Sequence, residues 1–249
     1  NALRKVAPYA PLHLFYHTVS DRQLPYISSY QVKSTAQFEA DLDNLLRHYQ
    51  PVDLAEITHK RTSKLVFHLS FDDGLRECFD VIAPILLRKG IPATFFVNNG
   101  FVGNKAVFHR YLIAQLKQVG IIRPDEQFDY NTRHLLAQRM EDLNFDLERY
   151  LASESPYMTF DQIKQLQLMG FTIGAHSVTH PEFWKISEEE QFQQIKQSVG
   201  WVVEHFEPEQ KVFAFPFTDD GVSHSLFERL QREQIVDYTF GTAGYKPDQ

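Results

Sequence analysis

Two adjacent carboxylates follow a strongly apolar stretch of the sequence. In "KLVFHLSFDDGLRE" (64–77), β-prone residues lead directly to Asp72 and Asp73. Neighbouring carboxylates at the mouth of a buried strand repel each other and are costly to remove from water. A cation bound to one of them would offset that cost and leave the other as a general base for water. The alternative is that one aspartate caps a helix beginning near Leu75 and the other is solvated.

A pair of histidines follows a second apolar stretch. His176 and His180 lie four residues apart in "GAHSVTHPEF" (174–183). A helical turn would put both side chains on one face, although Pro181 disfavours helical backbone at His180. Two imidazoles and one carboxylate make a metal site with open positions, suited to Zn²⁺ or another divalent ion that activates water. The alternative is a pair of loop histidines bonded to backbone carbonyls.

The elements that would position these residues alternate between strands and helices. Strand-like runs cover 12–17, 64–71, 93–98, 171–176, 212–217 and 236–241. The helical segments between them begin with capping pairs, namely Ser34 with Gln37, Thr159 with Gln162, and Ser187 with Glu190. This alternation predicts an α/β fold, either a barrel or an open doubly wound sheet. In both, functional groups gather at the carboxyl ends of the strands.

One segment interrupts the alternation. Residues 103–157 show a helical, polar pattern and no strand of their own. They predict a helical insertion after the third strand, which serves as a structural elaboration or as a lid or specificity element. Apart from this insertion, residues 1–249 are expected to form a single domain, since α/β folds of this length commonly do.

Composition excludes several classes of function. A net charge of −7 argues against a nucleic acid or an anionic membrane as the main partner. No window approaches the roughly 18 apolar residues of a membrane span. Residues 1–17 carry no signal-peptide pattern, which slightly favours a cytoplasmic location. The single cysteine, Cys78, excludes an intrachain disulfide framework and is expected to be packed.

Four segments together resemble the NodB-type polysaccharide deacetylase family. They are "SFDDG" (70–74), "PILLRKGIPATFFV" (84–97), "GFTIGAHSVTHP" (170–181) and "FAFPF" (213–217). The similarity runs in order from about Phe15 to the end of the chain, broken by the insertion. The resemblance implies a distorted (β/α) barrel of about seven strands. It also implies one divalent metal ion, usually zinc, with cobalt and nickel as alternatives.

The resemblance assigns roles to the aspartates and histidines. Asp72 would be the catalytic base, and Asp73, His176 and His180 would be the metal ligands. The implied reaction is metal-assisted hydrolysis of an acetyl group, most often the N-acetyl of an amino sugar, with Asp72 activating metal-bound water. The partner would be an acetylated glycan or sugar. Alternatives are a catalytically idle carbohydrate-binding or scaffold relative, and a hydrolase of O-acetyl or other acyl groups.

The remaining family positions match less well. By resemblance, the backbone N–H of Phe217, after Pro216, would hold the oxyanion. The family often has an arginine where this chain has Ala214, and its late histidine is missing, since His224 falls too early. By its position at the end of the first strand, His17 is the best substitute for that acid. The alternative is a packed histidine bonded to the backbone.

Overall fold

Seven parallel strands form one sheet among the residues that the computed structural model describes, which are 11–28, 30–59 and 65–242. The strands are β1 (Leu12–Tyr16), β2 (Gln50–Pro51), β3 (Val66–Phe71), β4 (Ala93–Val97), β5 (Thr172–Ala175), β6 (Val212–Ala214) and β7 (Tyr238–Phe240). Hydrogen-bonded neighbours follow the order β1-β3-β4-β5-β6-β7, and β2 pairs with β3. The predicted α/β fold with about seven barrel strands is confirmed.

The two end strands of the sheet approach each other. The rings of His13 on β1 and Phe240 on β7 contact edge to face, with centroids 4.4 Å apart. Within the described ranges these strands do not pair through their backbones, so the barrel is distorted and closed here by side chains. Because all strands are parallel, their carboxyl ends meet at one rim.

The strand predicted at 212–217 is shorter than expected. β6 ends at Ala214. Pro216 has no N–H for the ladder, and Phe217 has a φ of 61°, which turns the chain out of the extended conformation. The segment after β6 is therefore a loop at the rim of the barrel.

The short strand β2 was not predicted. It has only two residues, and one of them is Pro51, which is a poor strand former. Its partner β3 begins at Val66 within the predicted run 64–71, and Lys64 lies outside the described residues. The insertion follows the strand predicted third (93–98), as expected, and that strand is β4 in the observed numbering because β2 precedes it.

Helices cover the strands, and three of them begin at the predicted capping residues Ser34, Thr159 and Ser187. They are α1 (Thr35–Leu46), α2 (Leu54–His59), α3 (Ala83–Lys89), α4 (His109–Gln118), α5 (His134–Asp142), α6 (Leu147–Glu154), α7 (Phe160–Leu168), α8 (Glu188–Phe206) and α9 (His224–Arg232). A π-helix (Cys78–Ile82) precedes α3, and 3₁₀ turns cover Val102–Asn104 and Phe183–Lys185. No helix in the described ranges is long and apolar enough to cross a membrane.

One of the three predicted capping boxes is incomplete. Both boxes at α1 and α7 are present with their reciprocal hydrogen bonds. At α8, Ser187 accepts the backbone N–H of Glu190, but the Glu190 carboxylate accepts a hydrogen bond from Tyr130 instead of closing the box. Tyr130 belongs to the insertion, so a tertiary contact replaces the local one.

Aromatic side chains form the interior between the sheet and the helices. Phe71 of β3 stacks on Phe95 of β4 with ring centroids 5.2 Å apart, and Phe38 of α1 meets Phe71 edge to face. All three are fully buried, and each buried ring stabilises the fold by about 1.5–3 kcal/mol. Cys78 is also fully buried, as predicted, and burial raises the pKa of its thiol well above the ordinary value. Its sulfur therefore packs as a small apolar group.

The insertion is helical, as predicted, and has a small core of its own. Helices α4, α5 and α6 lie between β4 and β5. Its buried apolar residues are Leu112, Leu116, Ile122 and Leu136. The insertion joins the barrel through a β-bridge between Leu75 and Tyr157. This bridge fixes one end of the insertion directly after Asp73.

We expect the protein to lose stability in mild acid because of His13. Burial, with a contribution from nearby His68, lowers the pKa of His13 from 6.5 to about 3. Between these two pKa values, His13 is therefore neutral in the folded protein and protonated in the unfolded chain. The contribution of His13 to the free energy of unfolding is fully present above about pH 6.5 and decreases toward pH 3. About 2 kcal/mol of it is lost by pH 5. Urea unfolding of the parent and of His13→Gln at about pH 7 and pH 5 measures this, and equal losses in both proteins would contradict it.

Candidate active site

Candidate functional side chains that follow four strands meet at the carboxyl rim of the barrel. They line one cavity of about 320 Å³. The residues predicted from the sequence that line it are His17 after β1, Asp72 and Asp73 after β3, His176 and His180 after β5, and Phe217 after β6. Pro216 does not line the cavity but directly precedes Phe217. The structure thus brings together six residues that span two hundred positions of the chain.

Asp73 and the two histidines form a tight, buried group. Asp73 Oδ1 lies 3.1 Å from His180 Nε2 and 3.5 Å from His176 Nε2. One nitrogen or oxygen atom from each residue lies within 4.8 Å of the others, so the three can hold a metal ion. Each of these residues is at most 4% exposed, which leaves only the cavity as an approach to the group.

The histidine loop does not form the helical turn considered from the spacing. His176 leaves β5 in line with the strand, and the chain then bends through Ser177 and His180, whose φ values are 70° and 53°. The Ser177 hydroxyl accepts the His180 N–H at 3.0 Å. Pro181 disfavours right-handed helical backbone at the residue before it, which explains why a bend replaces the helix.

A tight turn presents Asp73. Its φ is 71° and that of Gly74 is 68°. A side chain at Gly74 would be strained at this φ and would lie 3.3 Å from Val97 Cγ1. The helix-capping alternative is wrong, because the next helix begins at Cys78 without a side-chain cap and Asp73 Oδ2 accepts a hydrogen bond from Tyr111.

The donor atoms in this group suit a cation. His176 Nδ1 lies 2.9 Å from the Ala214 carbonyl oxygen, which can only accept, so Nδ1 carries the hydrogen. Burial and neighbouring His180 lower the pKa of His176 to about 3, so its Nε2 keeps a lone pair. That lone pair faces Asp73 Oδ1, a buried oxygen with no hydrogen-bond donor among the described residues. Two acceptors 3.5 Å apart repel unless a cation lies between them.

The two adjacent aspartates differ in acidity. Burial raises the pKa of Asp72 to about 7; the charge of His17 opposes this shift and that of Asp73 adds to it. Burial also acts to raise the pKa of Asp73, but three nearby histidines, His180 above all, more than offset it, so that pKa lies well below the ordinary range. When the pKa values of two neighbouring carboxylates differ in this way, the carboxylate with the lower pKa stays ionised and can bind a cation. The other can act as a base that titrates near neutrality.

The position of Ala214 affects the surroundings of Asp72. A cavity of about 70 Å³ beside Asp72 is lined by Ala214, His13 and Ser70. Asp72 Oδ1 is buried and has no hydrogen-bond partner among the described residues. The small Ala214 side chain thus leaves room where the family often has an arginine.

Two other candidate residues have clear placements. His17 lines the cavity, and its ring lies 5.3 Å from that of Tyr30. His224 begins α9, and its side chain is 87% exposed and paired with Glu228. His224 does not line the cavity. This position agrees with the expectation that His224 is not the acid that protonates the leaving group.

Phe217 has a backbone geometry suited to anion binding. Its φ of 61° turns the chain at the rim, and no hydrogen bond to its N–H is found in the described part of the chain. Its ring lies 4.7 Å from that of His180, and the Arg110 guanidinium lies 4.1 Å from the ring centroid. These contacts hold the turn in place.

The insertion contributes three cavity-lining residues that no motif had singled out. The ring of Phe108 lies 4.2 Å from that of His180. Arg110 pairs with buried Glu182 at 2.8 Å, and the Tyr111 hydroxyl donates to Asp73 at 2.5 Å. None of the three belongs to a recognisable motif. The sequence shows only that they lie in a segment with a helical pattern. The insertion is therefore one wall of the cavity.

Comparison with known proteins agrees with this geometry. The family model described as "Polysaccharide deacetylase" matches residues 59–233. That range contains both aspartates, both histidines and the loop after β6, and omits His17. Among curated proteins, none matches the chain significantly.

Several solved structures share the fold at low sequence identity. IcaB from Ammonifex degensii is 19% identical with a TM-score of 0.63, over 93% of this chain and 83% of that one. The Streptococcus pyogenes deacetylase PplD, solved with acetate, is 17% identical with a TM-score of 0.59, over 89% and 79%. A de-N-acetylase from Aggregatibacter actinomycetemcomitans is 14% identical with a TM-score of 0.60, over 94% and 88%. At these identities the likeness concerns the fold.

Proposed function

This chain belongs to the polysaccharide deacetylase family, and we propose that it removes N-acetyl groups from an amino-sugar glycan. The family makes it a hydrolase of carbon–nitrogen bonds other than peptide bonds. One cavity is the main support for the N-acetyl proposal. It is lined by Asp72, a base whose pKa is about 7, beside the group of Asp73, His176 and His180. A carbohydrate-binding protein has no use for such a base.

Asp73, His176 and His180 would hold the divalent ion. Two imidazoles and one carboxylate match the ligands that zinc takes in hydrolytic sites, and cobalt or nickel suits the same donors. When bound, the ion supplies Lewis acidity toward the acetyl carbonyl and acidifies water. Among the described residues, no other group of histidine, cysteine or acidic side chains has this geometry.

Asp72 would act as the general base. It takes a proton from the attacking water as the water oxygen adds to the acetyl carbon. A pKa near 7 allows the carboxylate to be ionised before the reaction and to accept a proton during it. The N–H of Phe217 would donate to the oxygen that becomes negative.

His17 would donate a proton to the departing nitrogen. The carbon–nitrogen bond then breaks and yields acetate and a free amine. The support for this role is that His17 shares the cavity with Asp72 and that its charge reaches both aspartates. A His17→Gln variant that released acetate at the parent's rate would exclude it.

The N-acetyl proposal is tested with two matched substrates. Acetate release from an N-acetylated amino-sugar oligomer is compared with release from the same oligomer carrying O-acetyl groups. We expect release from the amide, because His17 can supply the proton that an amine leaving group needs. Release from the ester alone would favour the O-deacetylase alternative. Binding of both without release would favour the idle relative, which Ala214 in place of the arginine makes the second candidate.

A further inference from the structure

The metal-ligand candidate Asp73 is held by a residue of the insertion. Tyr111 lies on α4, 38 positions after Asp73, and is 3% exposed. Its hydroxyl lies 2.5 Å from Asp73 Oδ2. An ionised carboxylate only accepts, so the phenol is the donor. Hydrogen bonds of this kind, from O–H to a charged oxygen, are short and about twice as strong as neutral ones.

The two oxygens of Asp73 have separate surroundings. Oδ2 accepts from Tyr111, whereas Oδ1 faces His176 Nε2 and His180 Nε2. Within the described ranges, the bond from Tyr111 is the only hydrogen bond to this side chain that meets normal geometry. The hydroxyl of Tyr111 therefore occupies Oδ2, and Oδ1 is left facing the two histidines.

The tyrosine ring is itself fixed. It lies 5.0 Å from the ring of Phe108 and 5.8 Å from that of Tyr26. Phe108 also packs on His180, so one aromatic cluster supports both a candidate ligand and the residue that orients another. The insertion therefore places its hydroxyl with little freedom.

We propose that Tyr111 is a positioning residue that binds Asp73 Oδ2 and leaves Oδ1 alone to ligate the metal. This inference depends on the proposed metal site. It assigns the insertion a defined task, which is to set the orientation and the single-oxygen ligation of Asp73. Neighbours that orient a ligand typically change metal affinity by about 10- to 100-fold when they are removed.

The test compares zinc affinity in three proteins by competition with a chromogenic chelator. Tyr111→Phe removes only the hydroxyl, and we expect zinc binding about 10- to 100-fold weaker. Tyr150→Phe is the matched control, because Tyr150 is a buried tyrosine of the same insertion whose hydroxyl has no partner among the described residues. It should bind zinc as the parent does. Equal affinity in all three proteins would overturn the inference.

A second measurement does not depend on how the variant folds. In a crystal structure of the zinc-loaded parent, Oδ1 should be the one oxygen of Asp73 that bonds to the ion. Two Asp73 oxygens on zinc in the parent would overturn the inference and leave the proposed function standing. Failure of the parent to bind zinc at all would overturn the proposed function, and with it this inference.

Discussion

An Asp72→Asn variant is expected to release acetate about 10²- to 10⁴-fold more slowly than the parent, because general-base catalysis contributes about that factor. Asparagine keeps the shape of the side chain and cannot accept the proton. Asp72 is buried at the rim of the barrel, and its backbone N–H donates to the Tyr16 carbonyl oxygen, a contact that the substitution preserves. Steady-state acetate release is the measurement.

The controls for this variant separate catalysis from structure. Asp125→Asn changes an exposed aspartate of the insertion and should leave the rate unchanged. The zinc content of Asp72→Asn should equal that of the parent, since Asp73 and the histidines remain. A variant that kept both its zinc and the full rate would show that another group is the base.

A His176→Ala variant is expected to lose its metal. The parent should carry about one equivalent of a divalent ion, because two imidazoles and a carboxylate bind such ions tightly. Without His176, only Asp73 and His180 remain in the group. Metal content by mass spectrometry of the purified proteins is the measurement, and acetate release should fall with it.

Exposed His224 provides the control for metal content. It is 87% exposed on α9, away from the cavity, so His224→Ala should retain the parent's metal. Metal retained in His176→Ala at the parent's level would place the ion elsewhere. Metal lost from both variants would point to a general effect of histidine removal and contradict the assigned site.

Six of the seven strands and the residues at their ends could be predicted from the sequence. The run before Asp72 is apolar on both faces and so belongs to a covered parallel strand. Because parallel strands share one carboxyl rim, Asp73 and His176 were expected to meet, and the structure places them 3.5 Å apart. His17 was selected by the same reasoning from β1.

Other features depend on contacts that a linear sequence does not display. The pairing of Glu190 with Tyr130 replaces a local capping bond with a tertiary one. Left-handed backbone at Ser177 and His180 replaces the helical turn that the four-residue spacing suggested. Tyr111 follows Asp73 by 38 positions and belongs to no motif. Only the folded chain shows that it orients the carboxylate.

We propose that a metal at Asp73, His176 and His180 is required for hydrolysis of N-acetyl groups. The most direct test is acetate release from an N-acetylated amino-sugar oligomer by one sample of the protein, first stripped with a chelator and then reloaded with zinc. Release should stop on stripping and return on reloading. Full release by the stripped protein, or none after reloading, would contradict this proposal.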